Sequence, residues 1–187
     1  MFPERFNLAD YYLFARVGEG LGDKPALLFG PRSYTYRAVA RRSLAFARLL
    51  HRGDVRRGER VLLALTDLPP FAWALFGTLA RGGVIAMANP HGTAEQLQRL
   101  VRYTRATAVV AIEPVAAALA DAFRNGWLGD ELRHVWIVPD AASEADPEGP
   151  LGDTAPRGVI PGPGGASLRC ASLAEALQAE LPSVDDA

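Results

Sequence analysis

Apolar residues fall along this chain in short blocks whose spacing alternates between that of strands and that of helices. Residues 26–29 and 33–36 are β-prone runs on either side of Gly30-Pro31, which predicts a hairpin. Residues 36–51 then read as a helix. Val39, Ser43, Phe46, Ala47 and Leu50 recur on one face, and Arg41, Arg42, Arg48 and Arg52 take the other, expected to be solvated. Gly53 closes it. Residues 61–65 form an unbroken apolar run, as in a strand buried on both faces. Pro69 and Pro70 suit a helix entrance, and residues 71–80 are apolar nearly all round, which predicts a buried helix ended by Arg81-Gly82-Gly83.

The same alternation continues. Residues 84–88 are a strand ended by Asn89-Pro90, and Thr93 with Gln96 forms a capping box opening a helix whose inner face carries Leu97, Leu100, Val101 and Thr104. A strand over 108–112, a helix over 115–125 and a strand over 134–138 complete the series. Strand–helix–strand repeated with buried strands requires parallel pairing through right-handed crossovers. The predicted fold is α/β: a doubly wound, mostly parallel sheet with a short N-terminal hairpin. Ligands gather at the carboxyl ends of such strands. That directs attention to Thr66-Asp67, Asn89-Pro90-His91 and Glu113-Pro114.

Three stretches divide the chain: an α/β subdomain over 1–139, a Pro/Gly-rich loop or insert over 140–167, and a short helix with its C-terminal extension over 168–187. The middle stretch holds eleven Pro or Gly residues in 28 and shows no periodicity. In the last, Ser172 and Glu175 read as a second capping box, and Pro182 ends the helix.

Composition narrows the function classes. A net charge of -1 gives no reason to expect nucleic acid or an anionic membrane as partner. Cys170 is the only cysteine, so no internal disulfide exists, and a reducing cytoplasm is expected. No basic stretch followed by an apolar run marks a signal peptide at the N-terminus, and the longest apolar stretch, residues 68–80, is too short to span a bilayer. Lys24 is the only lysine among 20 basic residues and lies in a turn, so no catalytic lysine is expected.

Familiar catalytic patterns are missing. No Gly-x-Ser-x-Gly occurs, and His51, His91 and His134 lack metal-ligand spacing, so no metal site is assigned. His51 suits the C-terminal end of a helix dipole, and His134 opens a strand. Gly18-Glu-Gly20-Leu-Gly22 precedes the first strand instead of following one, and Gly162-Pro-Gly-Gly165 lacks the Lys-Ser/Thr of a phosphate loop; both read as turns. Trp73 and Trp136 read as core.

Three segments in order resemble the superfamily of adenylate-forming acyl- and aryl-CoA ligases, the AMP-binding enzymes. Tyr34-Thr-Tyr36-Arg-Ala-Val39 is similar to the family's Thr-Tyr-x-Glu-Leu segment, with Ala38 in place of the glutamate. Gly58-Glu-Arg60-Val-Leu-Leu-Ala-Leu65 looks like its Gly-Asp-x-Val strand. Gly77-Thr-Leu-Ala-Arg-Gly-Gly83-Val-Ile-Ala-Met-Ala-Asn89-Pro90 is similar to its Ala-Gly-x-x-x-x-Pro-x-Asn-Pro segment. The opening Phe6-Asn-Leu-Ala-Asp-Tyr-Tyr-Leu and the Asn89-Pro90 pair resemble the benzoate-CoA ligase branch, and Val184-Asp-Asp-Ala187 looks like the lead-in to the family's phosphate-binding loop.

The resemblance implies a two-step reaction. A carboxylate, aromatic or other, attacks the α-phosphate of ATP, and the thiol of CoA then takes the acyl group from the adenylate, with Mg²⁺ offsetting charge. It also implies that the phosphate loop, the adenosine site, most of the acyl pocket and the catalytic lysine lie outside this chain. No catalytic residue is therefore assigned, and the chain is expected to be an N-terminal portion, inactive alone, with the remainder of the ligase as partner. His91 is the one position carried over, as a contact to a CoA phosphate; its alternative is a plain loop histidine. Fragments of a carrier-protein-loading adenylation domain and a non-enzymatic α/β binding module remain as alternatives, as does a homodimer. The ligase reading expects exposed apolar surface where further domain would pack.

Overall fold

The strands at the centre of this chain have no polar face. In β3 (Arg60–Ala64) four of five residues are buried, and in β5 (Ala106–Ile112) all seven are. Such strands need cover on both sides, and the computed structural model, which describes residues 6–140, 148 and 150–181, supplies it. β4 (Val84–Met87), β6 (His134–Val138), β7 (Gly158–Pro161) and β8 (Ser167–Ser172) join them in one six-stranded sheet of order β4-β3-β5-β6-β8-β7. Every pairing is parallel except that of β7 with β8. Helices α1 (Tyr36–Arg52), α2 (Pro69–Arg81) and α5 (Leu173–Gln178) form one layer. Helices α3 (Ala94–Thr104) and α4 (Glu113–Arg124) pack together on the other face. The fold is thus α/β and doubly wound. The hairpin of β1 (Pro25–Phe29) and β2 (Arg32–Thr35) stands apart as a two-stranded sheet.

Helix ends follow from local chemistry. Thr35 of the Tyr-Thr-Tyr segment is the N-cap of α1, its hydroxyl accepting from the Ala38 amide at 3.2 Å. At the start of α3 the Thr93 hydroxyl accepts from Gln96 N (3.2 Å) and the Gln96 side chain from Thr93 N (3.0 Å), closing the capping box. Gly82, at φ +78°, ends α2 in the left-handed conformation that only glycine adopts without strain. The far end of α3 is capped from outside: the Arg60 guanidinium donates to the carbonyls of Thr104 (2.6 Å) and Arg105 (2.8 Å).

The structure corrects four expectations. Residues 140–167, read as loop or insert, hold β7 and lead into β8, so the sheet runs on past Val138 to Ser172. The inward positions of β8, Leu168, Cys170 and Ser172, do alternate, but two of them are small and the signal is faint. β7 becomes a strand through its backbone pairing with β8. Residues 18–22, read as a turn, fall in a π-helix (Val17–Leu21) and its C-cap Gly22, with Gly20 at φ +84°. Helix α2 is covered on one side only: Trp73, Ala74, Gly77 and Thr78 are buried, while Phe71, Leu75 and Phe76 are half-buried. The arginine face of α1 is not wholly solvated. Arg42 is half-buried, and Arg52 pairs with the buried Glu180 carboxylate at 2.9 Å, tying α1 to the end of α5.

Helices α1 and α2 cross closely at Gly77. A Cβ there would sit 2.6 Å from the Ser43 carbonyl oxygen and 2.9 Å from the Phe46 Cβ, so the helices could not keep this separation. Phe46, fully buried, stacks edge-on against Trp136. Where α1 ends, Gly53 is crowded by His134, whose Nε2–H donates to the Gly53 carbonyl at 2.9 Å. Its ring lies parallel to that of Trp136, 5.2 Å away. Burial pushes the His134 pKa below its ordinary 6.5, the Gly53 hydrogen bond opposes this, and the Arg133 and Arg169 charges reinforce it.

These contacts give three expected outcomes. G77A should lower the unfolding free energy by about 1–3 kcal/mol through overpacking, read from urea denaturation. Because the folded chain holds His134 neutral, its contribution is complete above pH 6.5 and is lost as pH falls through the depressed folded value. The urea midpoint of the wild type should therefore drop more between pH 8 and pH 5 than that of H134Q; equal drops would refute this role. The buried Cys170 thiol is pushed up to about 11 by desolvation, with Arg124 pulling the other way. It should react with an aromatic disulfide reagent at pH 8 only as fast as the chain opens.

Candidate functional site

All parallel strands direct their carboxyl ends to one rim of the sheet. From β3 the chain passes through α2 on one face to β4, and from β5 through α4 on the other face to β6, so the strand order reverses between β3 and β5. A crevice opens at such a reversal because the two departing helices lie on opposite sides. The loops after β3, β4 and β5 border it, which places Thr66-Asp67, Asn89-Pro90-His91 and Glu113-Pro114 on neighbouring strands.

The loop after β4 is a tight turn. The Asn89 side-chain oxygen accepts from the His91 amide and the Asn89 carbonyl from the Gly92 amide, both at 3.0 Å. His91 is thereby held, exposed, two residues before the α3 N-cap, and its ring makes no hydrogen bond among the described residues. After β5, Glu113 is taken up: its Oε1 accepts from the Gly152 amide at 2.9 Å. Leu151 and Ala155 are buried on either side of that contact, so residues 150–155 lie across this part of the rim. Asp67 is exposed.

His51 and His134 do not join His91. His134 opens β6, at the amino end of the sheet, and His51 lies near Arg81 at 3.3 Å where α1 ends. Among the described residues no three of His, Cys, Asp and Glu are grouped to hold a metal ion. A nucleotide triphosphate needs several free donors and cations converging on it. On the loops after β3, β4 and β5, Asn89, Thr93, Gln96 and Glu113 are each engaged in their own turn, cap or cross-link, and among the described residues of those loops His91 is the sole basic side chain. The described residues of these three loops do not by themselves fit ATP with Mg²⁺. No helix among the described residues is long and apolar enough to cross a membrane.

A residue that the sequence reading placed in solvent stands out instead. The Arg42 guanidinium lies over the rings of Trp73 (5.2 Å) and Tyr34 (5.6 Å) and forms a forked pair with Glu148, Nε to Oε1 at 2.7 Å and Nη2 to Oε2 at 3.2 Å. The spacing carried a signal: Arg42 follows Val39 by three and precedes Phe46 by four, on the edge of the inward stripe. Glu148 lies 106 residues away in sequence, so the pattern alone could not show that pairing.

Comparison with known proteins agrees with this architecture. A family model described as AMP-binding enzyme matches residues 14–163. The 4-coumarate–CoA ligase-like 9 protein of Oryza sativa subsp. japonica is 36% identical over 107 residues, 56% of this chain and 19% of that protein. The long-chain-fatty-acid–CoA ligase of Salmonella typhimurium is 31% identical over 119 residues, 63% of this chain and 21% of its own length. The chain thus spans about a fifth of the length of the curated relatives it matches. Among solved structures, a benzoate CoA ligase from Burkholderia xenovorans LB400 superposes with a TM-score of 0.67 at 22% identity, covering 96% of this chain and 30% of that one; at that identity the likeness is one of fold. The family match spans most of the strand–helix series described above, and on it the chain belongs to the AMP-binding enzyme family.

Proposed function

We propose that this chain forms the first α/β layer of an ATP-dependent aryl- or acyl-CoA ligase. In the first half-reaction a carboxylate oxygen attacks the α-phosphate of ATP, releasing pyrophosphate. In the second, the CoA thiol displaces AMP from the acyl-adenylate to give the thioester. The observation that carries the reading is the family match over residues 14–163. The relatives' names, a coumarate–CoA and a long-chain-fatty-acid–CoA ligase, support a carboxylic acid as substrate class. The aryl branch is our reading of Asn89-Pro90 and of the opening segment 6–13. The cytoplasm is the expected compartment.

In this reading the groups that bind ATP, Mg²⁺ and the acid come from outside these 187 residues, and this chain provides scaffold and one rim. Exposed apolar surface supports that division. The outer edge of β4 pairs with no strand among the described residues, with Val84 48% and Met87 60% exposed. Phe6, Leu8, Tyr11 and Tyr12 are exposed as well. His91, held outward before α3, is proposed to meet a phosphate of CoA when protonated.

A longer polypeptide carrying this chain should exchange pyrophosphate into ATP only when an acid is present, tested with benzoate, 4-coumarate and a long-chain fatty acid. Failure with every acid in a folded protein would reject the ligase reading, and exchange by the 187 residues alone would reject the division of labour. In the longer protein H91A should raise KM for CoA roughly threefold, as befits an exposed ionic contact, and leave the CoA-free exchange unchanged. An unaltered KM would leave His91 a turn residue.

A further inference from the structure

The Arg42 pair borders a cleft of about 600 Å³ between α1 and α5, whose walls include Ala174, Leu177 and Leu181. Beneath it lies a small cavity of about 10 Å³ lined by Trp73, Ile137 and Leu173, with Glu148, Ala174 and Leu177 common to both. The inner cavity sits at the carboxyl end of β6 and is also bordered by Pro70, in the first turn of α2. That helix end carries no acidic residue and no side-chain cap, so its dipole favours an anion.

Two buried groups on the rings beneath the Arg42 guanidinium have no hydrogen-bond partner among the described residues. They are the indole N–H of Trp73, which is fully buried and lines the inner cavity, and the hydroxyl of Tyr34, which lines neither space but whose ring lies 5.3 Å from that of Trp73. Buried donors are rarely left so. The guanidinium stacked over both rings presents its fork to a carboxylate, the geometry for which arginine is suited. One carboxylate, that of Glu148, now fills it.

We propose that this cleft is a second carboxylate site, taking a small monocarboxylic acid with an apolar body in exchange for Glu148. The ligand's carboxylate would occupy the Arg42 fork and its body the wall of Leu177, Ala174 and Leu181. Glu175 also lines the outer cleft, and its carboxylate disfavours a ligand with a second negative charge. Glu148 then acts as a tethered competitor, so the affinity for free acid is reduced by the fraction of molecules in which the fork is closed. The proposal stands apart from the ligase reading, because binding here requires neither ATP nor CoA.

The test is a titration of the uniformly ¹⁵N-labelled chain with benzoate, following the Trp73 indole signal among the three tryptophans, assigned with W73F. A saturable shift is expected, about tenfold tighter in E148Q because the competitor is gone. E148D, with a shorter reach, should tighten binding less and serves where E148Q loses its dispersed spectrum. Benzyl alcohol should cause no saturable shift, and R42K in the E148Q background should weaken benzoate at least severalfold by losing the fork. Absence of a saturable Trp73 shift in both Glu148 variants, or binding unaffected by R42K, would overturn the proposal.

Discussion

Because β3 and β5 bury side chains on both faces, neither can sit at the surface of a sheet, and the molecule must place a helical layer on each side of them. That requirement fixes the alternating crossovers and the position of the reversal between β3 and β5. It also fixes which loops share a rim. Fully burying a residue such as Leu62, Leu63 or Val110 contributes roughly 1.5–3 kcal/mol, so a register slip in the centre of the sheet would forfeit several such contributions at once.

The helical layer over β3 and β6 depends in turn on close approach. Gly77 allows α2 to reach the Ser43 carbonyl of α1, and the large rings of Trp73, Phe46 and Trp136 fill the space around that crossing. Arginines then close the margins of the same layer. Arg42 covers Tyr34 and Trp73, Arg48 donates to the Glu180 carbonyl at 3.2 Å, and Arg52 meets the Glu180 carboxylate. Arginine suits these places because its stem packs against apolar surface while its planar head keeps its hydrogen bonds.

The rim formed by the loops after β3, β4 and β5 is built mainly of self-satisfied turns. Asn89, Thr93 and Gln96 hold the loop and helix start after β4, and Glu113 holds residues 150–155 against the loop after β5. Such a rim positions neighbouring structure well and offers few free groups for chemistry. His91 and Asp67 are exposed there, and of His91 only the backbone is engaged among the described residues.

Much of the fold was legible because its signals are local. Buried central strands show as unbroken apolar runs, helix starts as Thr93-x-x-Gln96 or Pro69-Pro70, and a helix stop as Gly82, each set by the chemistry of a few adjacent residues. The order of those signals was also enough to show the family resemblance. What stayed hidden depends on partners distant in sequence. β7 is a strand only through its backbone pairing with β8, and the outer side of α2, with Phe71, Leu75 and Phe76, is only half-buried. The same holds for Arg42, which is 106 residues from Glu148 and cannot be told from a solvated arginine by helical periodicity alone. Local preference set the elements and their order; burial, pairing and charge neutralisation across the sheet decided which of their polar groups face solvent and which face one another, because those terms exist only once distant segments have met.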